Sequence, residues 1–182
     1  MNIQSITVFA LCLLGFSCSD KGDNNPEACN GDTRREVKLM IDDRNILVDT
    51  VPEWTTIEAL GALEVPDDVK SETARLALEL NSYAVRAYVE EVDRKHDGDY
   101  HILLKSGEEY LICEVPNPDC DYAESAFMRE KYRSVVSFIE SNELEGQYVY
   151  ITGVAFVDID HHYARKQADN NLELHPVFDI HF

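Results

Sequence analysis

Basic residues are scarce in this 182-residue chain, which has 16 Lys and Arg against 35 Asp and Glu and a formal net charge of -19. Binding to nucleic acid depends on Lys and Arg displacing counterions from phosphates. A surface this acidic repels phosphate backbones and anionic membrane surfaces alike. We therefore expect no nucleic acid as a partner, and the acidity itself indicates solubility more than a particular function.

Several signatures of catalysis are also absent from the sequence. No serine lies in a Gly-x-Ser-x-Gly elbow, and there is no glycine-rich phosphate loop. No spacing of cysteine and histidine resembles a zinc site, and no cysteine has a setting that favours the thiolate. These absences disfavour an enzyme that works through a nucleophile or a phosphate loop.

The apolar run near the N-terminus is too short to cross a bilayer, which takes about 20 apolar residues. Residues 1–17 carry no charged side chain, and residues 6–16 form an apolar run of signal-peptide length that ends just before Cys18. Residues 13–18 resemble a loose bacterial lipobox, and the acidic residues that follow resemble a surface-export signal of Gram-negative lipoproteins. We expect removal of 1–17 and membrane attachment through lipid on Cys18, at the outer membrane or cell surface. An ordinary cleaved signal peptide is the alternative.

Three further cysteines would then remain in an oxidising compartment, which permits one disulfide. Cys113 alternates with apolar residues on one face of a predicted strand, so we expect it to be a buried free thiol. We favour a disulfide between Cys29 and Cys120, which would pin the N-terminal segment to the domain. A bond between Cys113 and Cys120 is the alternative.

The mature chain is long enough for one domain. Residues 18–36 are rich in Asp, Asn, Gly and Pro, which predicts a flexible lipidated tether. Residues 37–75 predict an irregular N-terminal extension with a short helix, because Thr55 and Glu58 form a capping-box pattern. The remaining residues, 76–182, form the predicted main domain.

Alternation of apolar and polar residues in the main domain predicts five strands. A hairpin turn is expected at Asp97-Gly98, a bulge or bend at Gly153, and a helix over 128–139, where apolar residues recur with a period of 3.6. A capping box at Asp121 and Glu124 would begin that helix. The predicted strands run from Leu76 to Val89, Tyr100 to Leu104, Tyr110 to Val115, Val149 to Ile159 and Leu172 to Phe182.

The element order strand, strand, strand, helix, strand, strand is the chain order of the OB-fold, a five-stranded Greek-key barrel. Closure into a barrel also removes the exposed edges of such apolar strands. The prediction is therefore a mainly β, monomeric OB-fold-like domain, with an open α+β sheet as the alternative.

Carboxylates and imidazoles gather on the last two predicted strands. Glu173 and His175 share one face of the last strand with Val177, Asp179 and His181, and the strand before it ends near Asp158, His161 and His162. Such groups could bind a divalent metal and activate water. We favour the interpretation that they form only the solvent-facing outside of the barrel, with His175 hydrogen-bonded in place. The metal-ligand candidates are Asp158, His161, Glu173 and His175.

Asp97-Gly98-Asp99 resembles part of a calcium-binding loop, but the sequence lacks the further oxygen ligands that such a loop has at regular positions after it. A hairpin turn explains it better. Asp99 and the neighbouring His101 remain candidates for a site of another kind.

Three motifs in the main domain resemble a family of small uncharacterised secreted bacterial proteins with an OB-fold-like domain. The resemblance covers residues 83–182, and it implies no activity because that family has none assigned. It singles out six positions drawn from separate segments: Asp99, His101, Asp158, His161, Glu173 and His175. Residues 163–167 depart from the small, glycine-rich loop expected there. The motifs are DGDYHILL at 97–104, EVPNPDC at 114–120 and LELHPV at 172–177.

The predicted topology also resembles secreted nucleases of the staphylococcal type. Those enzymes place arginines around a carboxylate-bound calcium, and this sequence has no matching arrangement. A shared fold alone does not indicate that this protein has nuclease activity. The sequence therefore favours an exported lipoprotein with a non-catalytic binding or interaction domain for a small ligand or an envelope protein. A metal-dependent hydrolase of the envelope is the alternative, and any cofactor would be a divalent metal.

Overall fold

Short elements cover the N-terminal part of the chain. The computed structural model describes residues 33–120, 126–160 and 165–182. Before the main domain it has helix α1, strand β1, helix α2 and two single turns of 3-10 helix. They span Arg35–Lys38 (α1), Asn45–Leu47 (3-10), Glu53–Trp54 (β1), Ile57–Gly61 (α2) and Leu78–Leu80 (3-10).

The predicted short helix is present as α2, but it begins one residue later than the capping pattern indicated. Thr56, not Thr55, is the N-cap, and its hydroxyl oxygen accepts a hydrogen bond from the Ala59 N–H at 3.2 Å. That bond satisfies one of the free N–H groups at the start of a helix. Ile57 and Leu60 point inward and pack on the main core.

Five long strands and one long helix form the rest. Strand β2 pairs in antiparallel orientation with both β3 and β5. The pairs β3–β4 and β5–β6 are also antiparallel, whereas β4 and β6 pair in parallel. This pairing closes the sheet into a barrel, with α3 between β4 and β5 in the chain. The predicted OB-fold is therefore confirmed, and the open sheet is wrong. The elements are Ser82–Arg94 (β2), Tyr100–Ser106 (β3), Glu109–Val115 (β4), Ala126–Ser141 (α3), Tyr148–Val157 (β5) and Leu172–His181 (β6).

Helix α3 covers one side of the barrel and packs mainly against β6. Its predicted stripe is buried at Met128, Tyr132, Val135 and Ile139. The capping box predicted at residues 121 and 124 lies outside the described residues. None of the helices in the described ranges combines the length and apolar character needed to span a membrane.

The first barrel strand starts later than predicted. Leu76, Leu78 and Leu80 alternate as strand residues would, yet 78–80 form a 3-10 turn and β2 begins at Ser82. The cause is Glu79, whose buried carboxylate accepts a hydrogen bond from the Leu76 N–H at 2.7 Å. Such local bonds from side chain to backbone compete with a strand ladder.

Gly153 lies at an irregularity of the sheet, as predicted, because its pairing with β6 shifts register on both sides of it, and the extra residues belong to β6. A Cβ at this position would lie 2.9 Å from the Leu174 Cβ and 3.0 Å from the Pro176 carbonyl oxygen, which leaves no room for a side chain. The shift also moves Val177 into the main core beside Leu174. The prediction that Val177 shares a face with Glu173 and His175 is therefore wrong.

The predicted states of the cysteines are confirmed in part. Cys113 is a buried free thiol, and burial raises its pKa well above the ordinary value. Cys120 is disulfide-bonded, and its partner lies outside the described residues. The alternative bond between Cys113 and Cys120 is therefore wrong, while the bond to Cys29 stays a prediction.

Candidate functional site

Three ionisable side chains meet on the outside of the barrel, where β4 lies beside β6. Glu114, Glu173 and His175 each offer one metal-ligand atom, and the three atoms lie within 4.8 Å of one another. We call these three residues the carboxylate–histidine site. Strand alternation explains their position, because Cys113 and Leu174 fill the barrel interior and their neighbours must point outward.

The site is buried, but its polar atoms are incompletely paired. Nδ1 of His175 lies 2.8 Å from Oε2 of Glu114, at contact distance but without good hydrogen-bond direction. Within the described ranges, Nε2 of His175 and Oε2 of Glu173 have no hydrogen-bond partner, although both residues are only 1% exposed. Leaving a buried polar atom unpaired costs about 1–3 kcal/mol. This cost marks the site as one that a ligand would complete.

Two basic residues border the carboxylate–histidine site. Nζ of Lys38, at the end of α1, lies 3.9 Å from Oε2 of Glu114 and 5.1 Å from the ring centre of Phe156. Nη2 of Arg165 lies 3.1 Å from a carboxylate oxygen of both Asp158 and Glu173. Both cations partly compensate the acidic charge of the site.

The two glutamates of the site have opposite protonation behaviour. Burial raises the pKa of Glu173 well above its usual range, and the charges of Glu114 and Asp158 raise it further. Burial also acts to raise the pKa of Glu114, but His175 and Lys38 outweigh it and hold that pKa well below the usual range. Of these two neighbouring carboxyl groups, Glu114 is therefore the stronger acid.

Asp99 borders the same site across a small cavity. The cavity has a volume of about 40 Å³, and Lys38, Glu114 and His175 line it together with Asp99. Oδ1 of Asp99 accepts a hydrogen bond from the Asn117 N–H at 2.7 Å. Burial raises the pKa of Asp99 to about 6, although His175 acts in the opposite direction. The cavity has room for one water molecule or a small ion.

The hairpin interpretation of Asp97-Gly98-Asp99 agrees with the structure. Gly98 has a φ of +86° and donates its N–H to the Lys95 carbonyl at 2.9 Å, while Asp97 Oδ1 accepts from the Asp99 N–H at 3.2 Å. His101 follows in β3, directly opposite Glu114 in β4. Burial lowers the pKa of His101.

The fold brings most of the predicted site residues into one region: Asp99, His101, Asp158, Glu173 and His175. His161 and the rest of residues 161–164 lie outside the described part of the chain. The view of these residues as the wet outside of the barrel is wrong for Glu173 and His175, which are buried. It is right for the exposed Asp179 and His181.

Sequence reasoning missed Glu114, Lys38 and Arg165 as members of this region. Glu114 could have been found, because the predicted hairpin places it opposite His101 on the outer face. Lys38 and Arg165 come from an irregular extension and a loop, and no periodicity places them. As a donor set, two carboxylates and an imidazole suit a first-row divalent metal ion.

Comparison with known proteins gives only distant similarities. No protein-family model matches the chain, and no curated protein matches it either. A protein described as an aspartyl-tRNA synthetase from Leishmania major Friedlin is 14% identical over 74% of this chain and 21% of its own, with a TM-score of 0.47. An asparaginyl-tRNA synthetase from Entamoeba histolytica is 12% identical over 72% of this chain and 23% of its own, with a TM-score of 0.43. This chain thus spans less than a quarter of their length, and similarity at this level says nothing about its ligand.

Proposed function

We propose that this chain is an exported, lipid-anchored envelope protein whose OB-fold is a non-catalytic binding domain for a divalent metal ion. The observation that carries the proposal is the carboxylate–histidine site, in which three donor atoms lie within 4.8 Å of one another and buried atoms have no hydrogen-bond partner among the residues that the structure describes. The chain remains, by its motifs, a proposed relative of small uncharacterised secreted bacterial proteins.

The position of the site supports a binding role. OB-folds bind ligands on one strand face and with the loops between strands one and two and between strands four and five. In this chain the β2–β3 loop supplies Asp99, and the β5–β6 loop supplies Arg165 beside Glu173. Two loops that this fold commonly uses for ligand binding therefore border the carboxylate–histidine site.

The geometry suits a small cation with mixed oxygen and nitrogen ligands. Ligands about 2.0–2.1 Å from a tetrahedral zinc ion lie roughly 3.4 Å apart. The three donor atoms lie within 4.8 Å of one another, so a bound zinc ion would have to draw them closer together. The net charge of -19 also favours a cation over an anionic ligand such as nucleic acid.

The test is thermal unfolding of the purified protein with Zn²⁺, Mn²⁺ or Ca²⁺, combined with measurement of bound metal by mass spectrometry. At a hundredfold excess over Kd, a ligand stabilises the folded state by about 2.7 kcal/mol, which corresponds to roughly 5–10 °C in Tm. We expect Zn²⁺ to give such a shift and His175→Ala to abolish it.

His181→Ala is the matched control, because His181 lies on the same strand but is exposed. It should keep the full shift. The metal proposal fails if no ion raises Tm and none co-purifies, or if His175→Ala and His181→Ala respond alike.

A metal-dependent hydrolase is the second candidate, and one observation favours it. Asp99 has a pKa of about 6 and borders the same cavity as Glu114 and His175, so it could act as a general base near neutral pH. Hydrolysis of bis(p-nitrophenyl) phosphate by the zinc-loaded protein separates the two functions. Activity that Asp99→Asn abolishes would overturn the non-catalytic proposal.

The lipid anchor on Cys18 is tested separately, by palmitate labelling and membrane fractionation in a Gram-negative host. Cys18→Ser should lose the label and leave the membrane fraction, while Cys12→Ser, inside the apolar run, should keep both. Membrane attachment that survives Cys18→Ser would show that the lipid is not the anchor.

A further inference from the structure

A second group of exposed and half-buried side chains lies on the outer face of β1, β2 and β5 and the end of β6. It comprises Trp54, Arg86, Tyr88, Tyr148, Tyr150 and His181, which we call the aromatic platform. Strand register places them side by side: Arg86 is opposite Tyr150, Tyr88 opposite Tyr148, and Tyr150 opposite His181. Their neighbours along the strands fill the barrel core, so this face must point to solvent.

Contacts within the aromatic platform hold its rings in place. The imidazole of His181 stacks on Tyr150 at 5.2 Å with 17° between the planes, and Trp54 meets Tyr150 edge-on at 5.7 Å. The guanidinium of Arg86 lies 4.8 Å from the Tyr148 ring centre and 5.6 Å from that of Tyr150. Stacked and edge-on contacts of this kind are favourable arrangements of aromatic rings. The platform is thus preorganised.

Despite these contacts, much of the platform remains in solvent. Trp54 is 63% exposed and Tyr148 is 55% exposed. Contiguous exposed apolar area on a protein surface commonly marks an interaction site. Beside the rings, Arg86, Tyr88 and Tyr148 line a groove of about 370 Å³ that continues to the β3–β4 turn, a volume within the range of small-ligand pockets.

We propose that the aromatic platform binds a neutral oligosaccharide. The apolar C–H face of a sugar ring packs on an exposed aromatic face, and Arg86, His181 and the adjacent Asp179 supply donors and acceptors for its hydroxyl groups. Single-stranded nucleic acid also stacks on aromatic rings, but it needs a positively charged groove along its backbone. The net charge of -19 opposes such a polyanion and leaves an uncharged ligand unaffected.

This inference goes beyond the metal-binding proposal, because none of the platform residues belongs to the carboxylate–histidine site. The experiment is therefore carried out with EDTA present, so that either proposal can fail alone.

Trp54 is the only tryptophan of the chain, so tryptophan fluorescence reports on the platform directly. The purified protein is titrated with maltohexaose, cellohexaose and xylohexaose, and with polyuridylate as the polyanionic probe. We expect at least one hexasaccharide to change Trp54 emission saturably, with polyuridylate giving no change. Calorimetry with the same hexasaccharide gives the affinity.

Tyr150→Ala should weaken that affinity about tenfold or more, because it removes the central ring. Phe127→Ala is the matched control, since Phe127 is 65% exposed on α3, outside the platform, and should bind as the unmodified protein does. Trp54→Ala, measured by calorimetry, serves as the second variant, because Trp54 is exposed on a two-residue strand and its removal should leave the fold intact.

The proposal is overturned if none of the three hexasaccharides binds, or if polyuridylate binds in their place. It is also overturned if a hexasaccharide binds but Trp54→Ala retains the full affinity.

Discussion

Two clusters of buried charge border the ring of Phe156, and they differ in how fully their polar atoms are paired. In one, Arg34 donates to both carboxylate oxygens of Glu79 at 2.7 and 2.6 Å, and neither side chain is exposed. In the other, the carboxylate–histidine site, Glu173 and His175 are as deeply buried but retain unpaired atoms within the described part of the chain.

The paired cluster of Arg34 and Glu79 has a structural role. Glu79 also accepts hydrogen bonds from the N–H groups of Leu76 and Val157, and Arg34 donates to the Val157 carbonyl at 2.7 Å. These bonds fasten the N-terminal extension to the end of β5. Full pairing of a buried charge offsets the cost of removing it from water. Burial alone therefore does not identify a functional site, whereas burial with unpaired polar atoms makes a site a candidate.

The largest effect is expected for Glu79→Gln. Because the change leaves Arg34 buried without its counter-ion, the free energy of unfolding should fall by about 3–5 kcal/mol. Urea unfolding monitored by circular dichroism measures it. Glu130→Gln is the control, since that glutamate pairs with Arg133 at the surface and should change stability by less than about 0.5 kcal/mol. Equal losses would show that the paired cluster is not structurally special.

A smaller effect concerns Asp99 and pH. Burial raises its pKa in the folded state to about 6, from 3.8 in the unfolded chain. Between these values the folded state holds a proton that the unfolded state has lost, so stability falls as pH rises from about 4 to 6, by roughly 3 kcal/mol. Asp99→Asn should remove this decrease. Urea unfolding at pH 4, 5, 6 and 7 measures it, and an unchanged slope in the variant would contradict the assignment.

The smallest effect on stability is expected for Glu173→Gln, the same substitution as at Glu79. Because burial raises the pKa of Glu173 well above its usual range, a neutral amide should be tolerated better here than at Glu79, and the free energy of unfolding at pH 6 should fall by clearly less. The zinc-dependent rise in Tm should nevertheless disappear. A loss as large as that of Glu79→Gln would show that both clusters are structural.

The sequence predicted the barrel and α3 because their signals are local. A period of two in β3 and β4 and of 3.6 in α3 each arises within a few residues. The predicted start of β2 was wrong because the Glu79 carboxylate accepts a hydrogen bond from the nearby Leu76 N–H. The predicted face of Val177 was wrong because the register of β6 shifts opposite Gly153.

About half of the candidate site was also accessible from sequence. Asp158, Glu173 and His175 were identified because polar residues interrupt or flank apolar strands. Glu114 and Lys38 were not, since they approach His175 only through the parallel pairing of β4 with β6 and the packing of α1.

By itself, the sequence determined the acidity of this protein, its strand and helix periods and the candidate carboxylates, because these depend on composition and on neighbouring residues. Tertiary structure alone decided which polar side chains became buried and which of their atoms found partners. That outcome depends on strands distant in sequence lying side by side, and on the removal of water between them. The same distinction separates Glu79, which is fully paired, from Glu173, whose Oε2 has no partner in the part of the chain that the structure describes.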